Sequence, residues 1–277
     1  MNYTRLKVVC DPDFAEILMA EIAEAGFDTF METGQGFEAY TEENKVDNAQ
    51  LEAIKEKYRK VQPLIFFQDK IKKRNWNEEW EKNVDPVIVA DQCLIRAEFH
   101  KIKRKYPYEI IITPKMSFGT GHHQTTHLMV QAQLQIDHKG KIVMDAGCGT
   151  AILSILAAKR GAIKVEAFDI DAWSIENGRE NAKKNGCGNI NISQGMVKDF
   201  SWPDPFDIVL ANINKNVLLT EIEIYVKHLR TGGELLLSGF YKEDDKDLVA
   251  AADKQGLKLS DQQSRERWSS LLFTKLT

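Results

Sequence analysis

The chain has 277 residues, of which 43% are hydrophobic and 28% charged, and its net charge is −4. That composition is globular: it is too apolar for a disordered chain, and no run reaches membrane-spanning length. It argues against a strongly basic nucleic-acid reader and against a disulfide-stapled domain. The four cysteines, Cys10, Cys93, Cys148 and Cys187, are scattered without a Cys-x-x-Cys pair and read as reduced, buried thiols. No opening segment has the pattern of a signal peptide, so a cytoplasmic location with no membrane partner is expected.

Residues 4–10 (TRLKVVC) read as a short strand. Asp11-Pro12-Asp13 then supplies helix-start chemistry for 14–25, with Phe14, Ile17, Leu18 and Ile22 on one face and Gly26 as the stop. A hairpin turning at Gly34-Gln35-Gly36, a helix over 47–60 and a strand over 64–67 complete a β-α-β-β-α-β order. This is the ferredoxin-like pattern, so residues 1–70 are expected to form a small α+β domain. Its surroundings are acidic, with 13 acidic against 7 basic side chains in residues 1–60, which suits a cationic partner. Residues 71–83 are expected to be a helical connector, with Trp76 and Trp80 sharing one face.

From residue 84 onward, strand-like segments at 87–90, 94–97 and 109–113 lead to an unusual loop, ITPKMSFGTGHHQTTH, over 112–127. Phe118-Gly119-Thr120-Gly121 is too glycine-rich for a regular element, and Thr125-Thr126 opens the next helix. Such a loop is a candidate cofactor clamp. His122, His123 and His127 invite a metal reading, but no Glu or cysteine cluster stands at ligand spacing, so no metal is expected.

The chain is organised around KIVMDAGCGTAILSIL, residues 141–156. An apolar run ends in Asp145, passes through Gly147-Cys148-Gly149 and enters an apolar-periodic segment at Ile152. Strand, tight turn and helix in that order make a nucleotide-cofactor address, because glycines admit close approach and a helix N-terminus offers free N–H donors. A second apolar run ends in Asp169, 22 residues after Gly147, near the interval at which an acid meets ribose hydroxyls. Helices at 152–160, 172–185, 215–229 and 242–255 then alternate with strands at 165–168, 189–193, 206–211 and 234–238, which predicts a doubly wound, Rossmann-like sheet. A late pair at 257–260 and 269–275, separated by the polar SDQQSRERW, is expected to run antiparallel at the edge. Asn212 falls where the strand 206–211 opens into a loop, a position at which sites are built.

Taken together, FGTGHHQTT at 118–126, DAGCGTAIL at 145–153, DIDAWSIENGRENAKKNG at 169–186 and ANI at 211–213 resemble the ribosomal protein L11 methyltransferases of the PrmA type. The resemblance implies a class I methyltransferase domain over 84–277 that moves methyl groups from S-adenosylmethionine to lysine side-chain and N-terminal amines of ribosomal protein L11. It places the cofactor contacts at Thr126, Gly147, Asp169 and Asn212, with backbone N–H groups through Gly149. It also implies a leading domain that recognises the protein substrate; a monomer is expected, and Asn212 is the candidate to orient the acceptor amine. This chain departs from the family pattern at His122, Gln124 and Ala151, and around Gly195-Met196, where an acidic residue is frequent. Two alternatives stay open on the residues alone: a class I methyltransferase with another amine acceptor, and a non-catalytic adenosine-nucleotide-binding module.

Overall fold

The computed structural model describes residues 2–33, 36–59, 64–72, 85–113 and 117–276. Its contacts divide the chain into two compact units, Met1–Trp80 and Glu81–Thr277.

In the first unit, the elements are β1 (Asn2–Val9), α1 (Pro12–Glu24), β2 (Thr29–Thr33), β3 (Gly36–Glu42), α2 (Asn48–Tyr58) and β4 (Ile65–Lys72). The strands form one antiparallel sheet in the order β2-β3-β1-β4, the ferredoxin-like arrangement. Alternate residues of the strands face the helices, so Leu6, Val8, Phe37 and Ala39 bury against Leu18, Ile22, Leu51 and Ile54. Helix α2 begins where Asp47 accepts from the Gln50 N–H at 3.0 Å. The expected connector starts too early, since Ile71 and Lys72 continue β4, opposite Tyr3 and Asn2. The physical reason is the length of β1, eight residues whose ladder groups pair with β4 as far as Asn2. Trp76, Trp80 and the rest of the expected connector lie outside the described residues.

The second unit opens with β5 (Val87–Val89), β6 (Cys93–Arg96) and β7 (Tyr108–Ile111), a small sheet of its own. It continues through α3 (Gln124–Gln133), β8 (Ile142–Ala146), α4 (Ile152–Lys159), β9 (Lys164–Asp169), α5 (Ala172–Lys184), β10 (Ile190–Gln194), β11 (Phe206–Asn212), α6 (Lys215–His228), β12 (Leu229–Tyr241), α7 (Asp245–Lys254), β13 (Leu257–Arg265) and β14 (Trp268–Lys275). Among the described residues the main sheet has the order β10-β9-β8-β11-β12-β14-β13, parallel except for β14. The order reverses between β8 and β11. Their carboxyl ends therefore flank the crevice where open α/β sheets bind ligands.

Both faces of this sheet are covered. Val143, Ile208 and Leu210 join the cluster that holds Met129, Ile155 and Leu156. Met144, Val209 and Ala211 point the other way, towards Leu218, Ile222 and Tyr225. The alternation explains why the strands read as continuous apolar runs. The late pair runs antiparallel at the sheet edge as expected, with β14 lying between β12 and β13. One expectation about it needs correction. The polar run SDQQSRERW is mostly strand, with the turn confined to Glu266-Arg267; an edge strand has one side in water, so polar residues can occupy it. Among the described residues no helix is long and apolar enough to cross a membrane.

The amino ends of β8, β11 and β12 are tied together by one carboxylate. Asp207, 6% exposed, accepts from the Ile142 N–H at 2.8 Å and meets the Arg230 guanidinium at 3.0 Å. Asp207→Ala should leave a partly buried N–H unpaired and lower the unfolding free energy by ~1 kcal/mol or more, read by urea denaturation; an unchanged midpoint would refute this role.

Candidate active site

At the switch point the backbone leaves no room for side chains. Gly147 has φ +67°, and a Cβ there would stand 2.4 Å from the Ile213 side chain. Gly149 has φ +52°, and its Cβ would stand 2.3 Å from the Phe118 carbonyl oxygen. Both conformations favour glycine and both approaches require it. The turn is thus in contact with the end of β11 on one side and with the FGTG loop on the other.

The loop is stitched to the turn by Thr150, whose N–H donates to Phe118 O at 2.9 Å and whose hydroxyl donates to Gly119 O at 2.6 Å. Asn181 of α5 braces both from behind: its amide donates to Thr150 O at 3.0 Å and accepts from the Thr113 N–H at 2.8 Å. That bridge was not legible in the sequence, because a mid-helix Asn carries no local signal of a tertiary partner. Ala151 caps α4 at φ +61°, a left-handed conformation that costs an L-residue ~1–2 kcal/mol. Its methyl fits because α5 has Gly178 opposite, where a Cβ would stand only 3.3 Å away.

Asp169 ends β9. One oxygen accepts from the Gly149 N–H at 2.9 Å and the other from the Asp171 N–H at 3.0 Å, so the carboxylate fixes the glycine turn and the start of α5 together. Each oxygen retains a lone pair for a hydroxyl donor. Ile170 and Met196, large and apolar yet 68% and 42% exposed, follow Asp169 and Gly195, which are joined by a 2.9 Å backbone hydrogen bond. They offer an apolar edge beside the acid.

Asn212 is the last residue of β11, and its Oδ1 is buried with no hydrogen-bond partner among the described residues. Thr126, in the first turn of α3, is fully buried with its Oγ1 likewise unpartnered. Two of the residues singled out as contacts therefore carry unsatisfied polar atoms, each costing ~1–3 kcal/mol until a ligand supplies the bond. With the acid on β9 and the glycine cradle, this donor and acceptor set fits an adenosine-bearing cofactor.

The three histidines go to different partners. His123 caps α3 and accepts from the Thr125 N–H at 3.3 Å. His122 Nε2 lies 2.8 Å from Asp85 O, and His127 Nε2 lies 3.1 Å from the Arg265 guanidinium. Burial lowers the pKa of both His123 and His127. Sequence reading also missed a brace from the β13–β14 turn. Gln124 donates to Glu266 at 2.6 Å and accepts from Arg265, which fixes the first turn of α3 and with it Thr126.

Asp145, fully buried at the end of β8, accepts from both the N–H and the hydroxyl of Ser154, at 3.0 and 2.5 Å. Burial outweighs these bonds and, with the nearby Asp169 charge, holds its carboxyl up at about 6. The folded protein therefore binds this proton more tightly than the unfolded chain. Its contribution is present below pH ~4 and is lost as pH rises through about 6. Relative to Asp145→Asn, the wild type should lose ~3 kcal/mol of stability across that window, measured by urea unfolding at several pH values; parallel profiles would contradict it. For Thr126→Val, removing an unpartnered buried hydroxyl should leave the midpoint unchanged or raised. Cofactor affinity, measured by titration calorimetry, should fall ~10-fold for the loss of one hydrogen bond. A destabilised variant with intact affinity would make the hydroxyl structural.

The family model described as ribosomal protein L11 methyltransferase (PrmA) matches residues 13–276. The chain is 42% identical to the ribosomal protein L11 methyltransferase of Porphyromonas gingivalis over 261 residues, covering 94% of this chain and 90% of that protein. It is 38% identical to that of Bacteroides fragilis over 266 residues, 95% of each. Among solved structures, the ribosomal protein L11 methylase from Lactobacillus delbrueckii subsp. bulgaricus superposes with a TM-score of 0.65 at 26% identity, covering 70% of this chain and 100% of that one. The sheet, the glycine cradle and these likenesses agree: the chain belongs to the ribosomal protein L11 methyltransferase (PrmA) family, whose fold is the class I Rossmann-like methyltransferase fold and whose methyl donor is S-adenosylmethionine.

Proposed function

We propose that the protein methylates ribosomal protein L11 on amines, both lysine side chains and the N-terminal amine. The observation that carries this is the buried, unpartnered Oδ1 of Asn212 at the carboxyl end of β11, next to Ile213, which packs on the glycine turn. A carbonyl oxygen accepts hydrogen bonds, and an attacking neutral amine has N–H groups to donate while its lone pair points elsewhere. Asn212 would thus orient the acceptor nitrogen.

When bound, S-adenosylmethionine supplies a methyl group on a sulfonium, already a good electrophile. The protein's part is then alignment, worth up to ~7–11 kcal/mol in well-oriented cases. Asp169 would hold the ribose hydroxyls, Thr126 would bond through its orphan hydroxyl, and Gly147 and Gly149 would let the cofactor approach the backbone. Ile170 and Met196 would cover an apolar ring. Crowding at the turn, where the backbone admits no Cβ, would keep water out.

The leading domain, residues 1–70, would recognise the protein substrate, and residues 84–277 would carry the chemistry, the unit acting as a cytoplasmic monomer. In support, the sheet face that α1 and α2 do not cover carries exposed Met31, Ile65 and Phe67 around the Arg5–Asp69 ion pair, 2.9 Å. An exposed apolar patch with a charged rim is a common form of protein-binding surface.

Transfer of labelled methyl from S-adenosylmethionine to a panel of purified ribosomal proteins and ribosomal RNA tests the reading. Label confined to L11 amines, located by mass spectrometry, is expected, and label elsewhere would overturn the acceptor. Asn212→Ala should reduce kcat by ~100-fold or more, the scale at which a lost transition-state hydrogen bond acts, while cofactor affinity falls by no more than the ~10-fold of one lost contact. Unchanged turnover would remove Asn212 from the chemistry.

A further inference from the structure

The link between β6 and β7 is the most basic surface segment of the second unit. Residues 99–108, FHKIKRKYPY, hold Lys101, Lys103, Arg104 and Lys105 and no acid, in a chain whose net charge is −4. All four cations are exposed. Among the described residues Lys101, Lys103 and Lys105 have no ion-pair or hydrogen-bond partner, and Arg104 has one exposed acid, Asp91, at 3.2 Å. A surface kept for solubility would more typically intersperse both signs.

Aromatic groups flank these charges. The Arg104 guanidinium lies 4.8 Å from the Tyr106 ring centroid, and Phe99, 45% exposed, packs edge-on to His100 at 4.5 Å. The segment is also anchored. His100 Nδ1 accepts from the Ala97 N–H at 3.2 Å, Arg96 donates to Ala97 O at 2.9 Å, and both flanking strands are paired in the small sheet. Lys184 of α5 reaches Glu98 at 3.4 Å. Beyond it on α5, Arg179 and Lys183 line a groove of about 400 Å³ with Ile190 and Ile192.

We propose that Lys101, Lys103, Arg104 and Lys105, flanked by Phe99 and Tyr106, form a contact for the phosphate backbone of RNA. The juxtaposition of exposed cations, three of them unpaired among the described residues, with aromatic rings on an anchored loop is the chemistry that binds RNA phosphates and bases. RNA is chosen over other polyanions because the proposed acceptor is a ribosomal protein, and in this respect the inference rests on the function proposed above. The loop would hold the enzyme near an acceptor that sits on RNA without taking part in methyl transfer.

The test uses the full chain and a fluorescently labelled RNA hairpin, with binding followed by anisotropy across a salt series. Wild type should bind with a log–log salt slope of about −3, as four phosphate contacts give. The variant K101Q/K103Q/R104Q/K105Q should bind at least ~10-fold more weakly with a flatter slope, while labelling of free L11 stays at the wild-type rate. Equal RNA affinity of the two proteins, or no RNA binding by wild type, overturns the proposal. So does charge-dependent binding to phosphatidylserine vesicles without binding to the hairpin, which would make the loop a lipid contact. If free L11 takes no label but RNA binding is lost with the four charges, the surface stands and only the acceptor reading falls.

Discussion

The second unit is held in its working form by one carboxylate that serves two backbones. Asp169 accepts from Gly149 and Asp171, so the glycine turn after β8 and the start of α5 cannot move independently. Everything that surrounds the crevice is built on that tie. Thr150 carries the turn's position to the FGTG loop, Asn181 locks the loop from behind, and Ile213 brings the end of β11 against Gly147. A site assembled from three separate stretches of chain is thereby fixed through main-chain atoms, which have far less freedom than side chains.

The polar chemistry follows a division of labour. Asp169 and Asn181 are hydrogen-bonded within the scaffold, while Thr126 and Asn212, like several buried side chains away from the crevice such as Gln133 and His138, end in unpartnered atoms among the described residues. Unsatisfied buried groups cost stability, and natural proteins retain them chiefly at functional places. Asp145 stands between the two classes. Ser154 satisfies one oxygen, the other is an orphan, and burial raises its pKa.

Much of this was legible in the sequence, because periodicity and glycine chemistry are local. The strand-turn-helix at 141–156 and the acid at 169 sit where the pattern puts them, and the alternation of 152–255 unfolds into the sheet as read. What failed to show was long-range. The run SDQQSRERW is polar and so resembles a linker, yet it becomes an edge strand whose turn braces Gln124, more than a hundred residues earlier. The Asn181 bridge is invisible for the same reason. The basic cluster at 101–105 was concealed by averaging, since 28 acidic and 30 basic side chains after residue 60 cancel almost completely. The whole-chain charge says little about where the charges stand.

The placement of β14 bears on how the second unit comes together. It is the last strand in chain order, yet it lies inside the sheet, hydrogen-bonded to β12 on one side and β13 on the other. Until residues 268–275 are available, β12 has an open edge and β13 has no ladder partner, however complete the rest may be. Sheet closure therefore depends on non-local pairing that comes late in synthesis, the kind of step that is slow and exposes sticky strand edges. The crevice between β8 and β11 is set by strands that precede this step, whereas the β12 edge stays open until the last strand arrives.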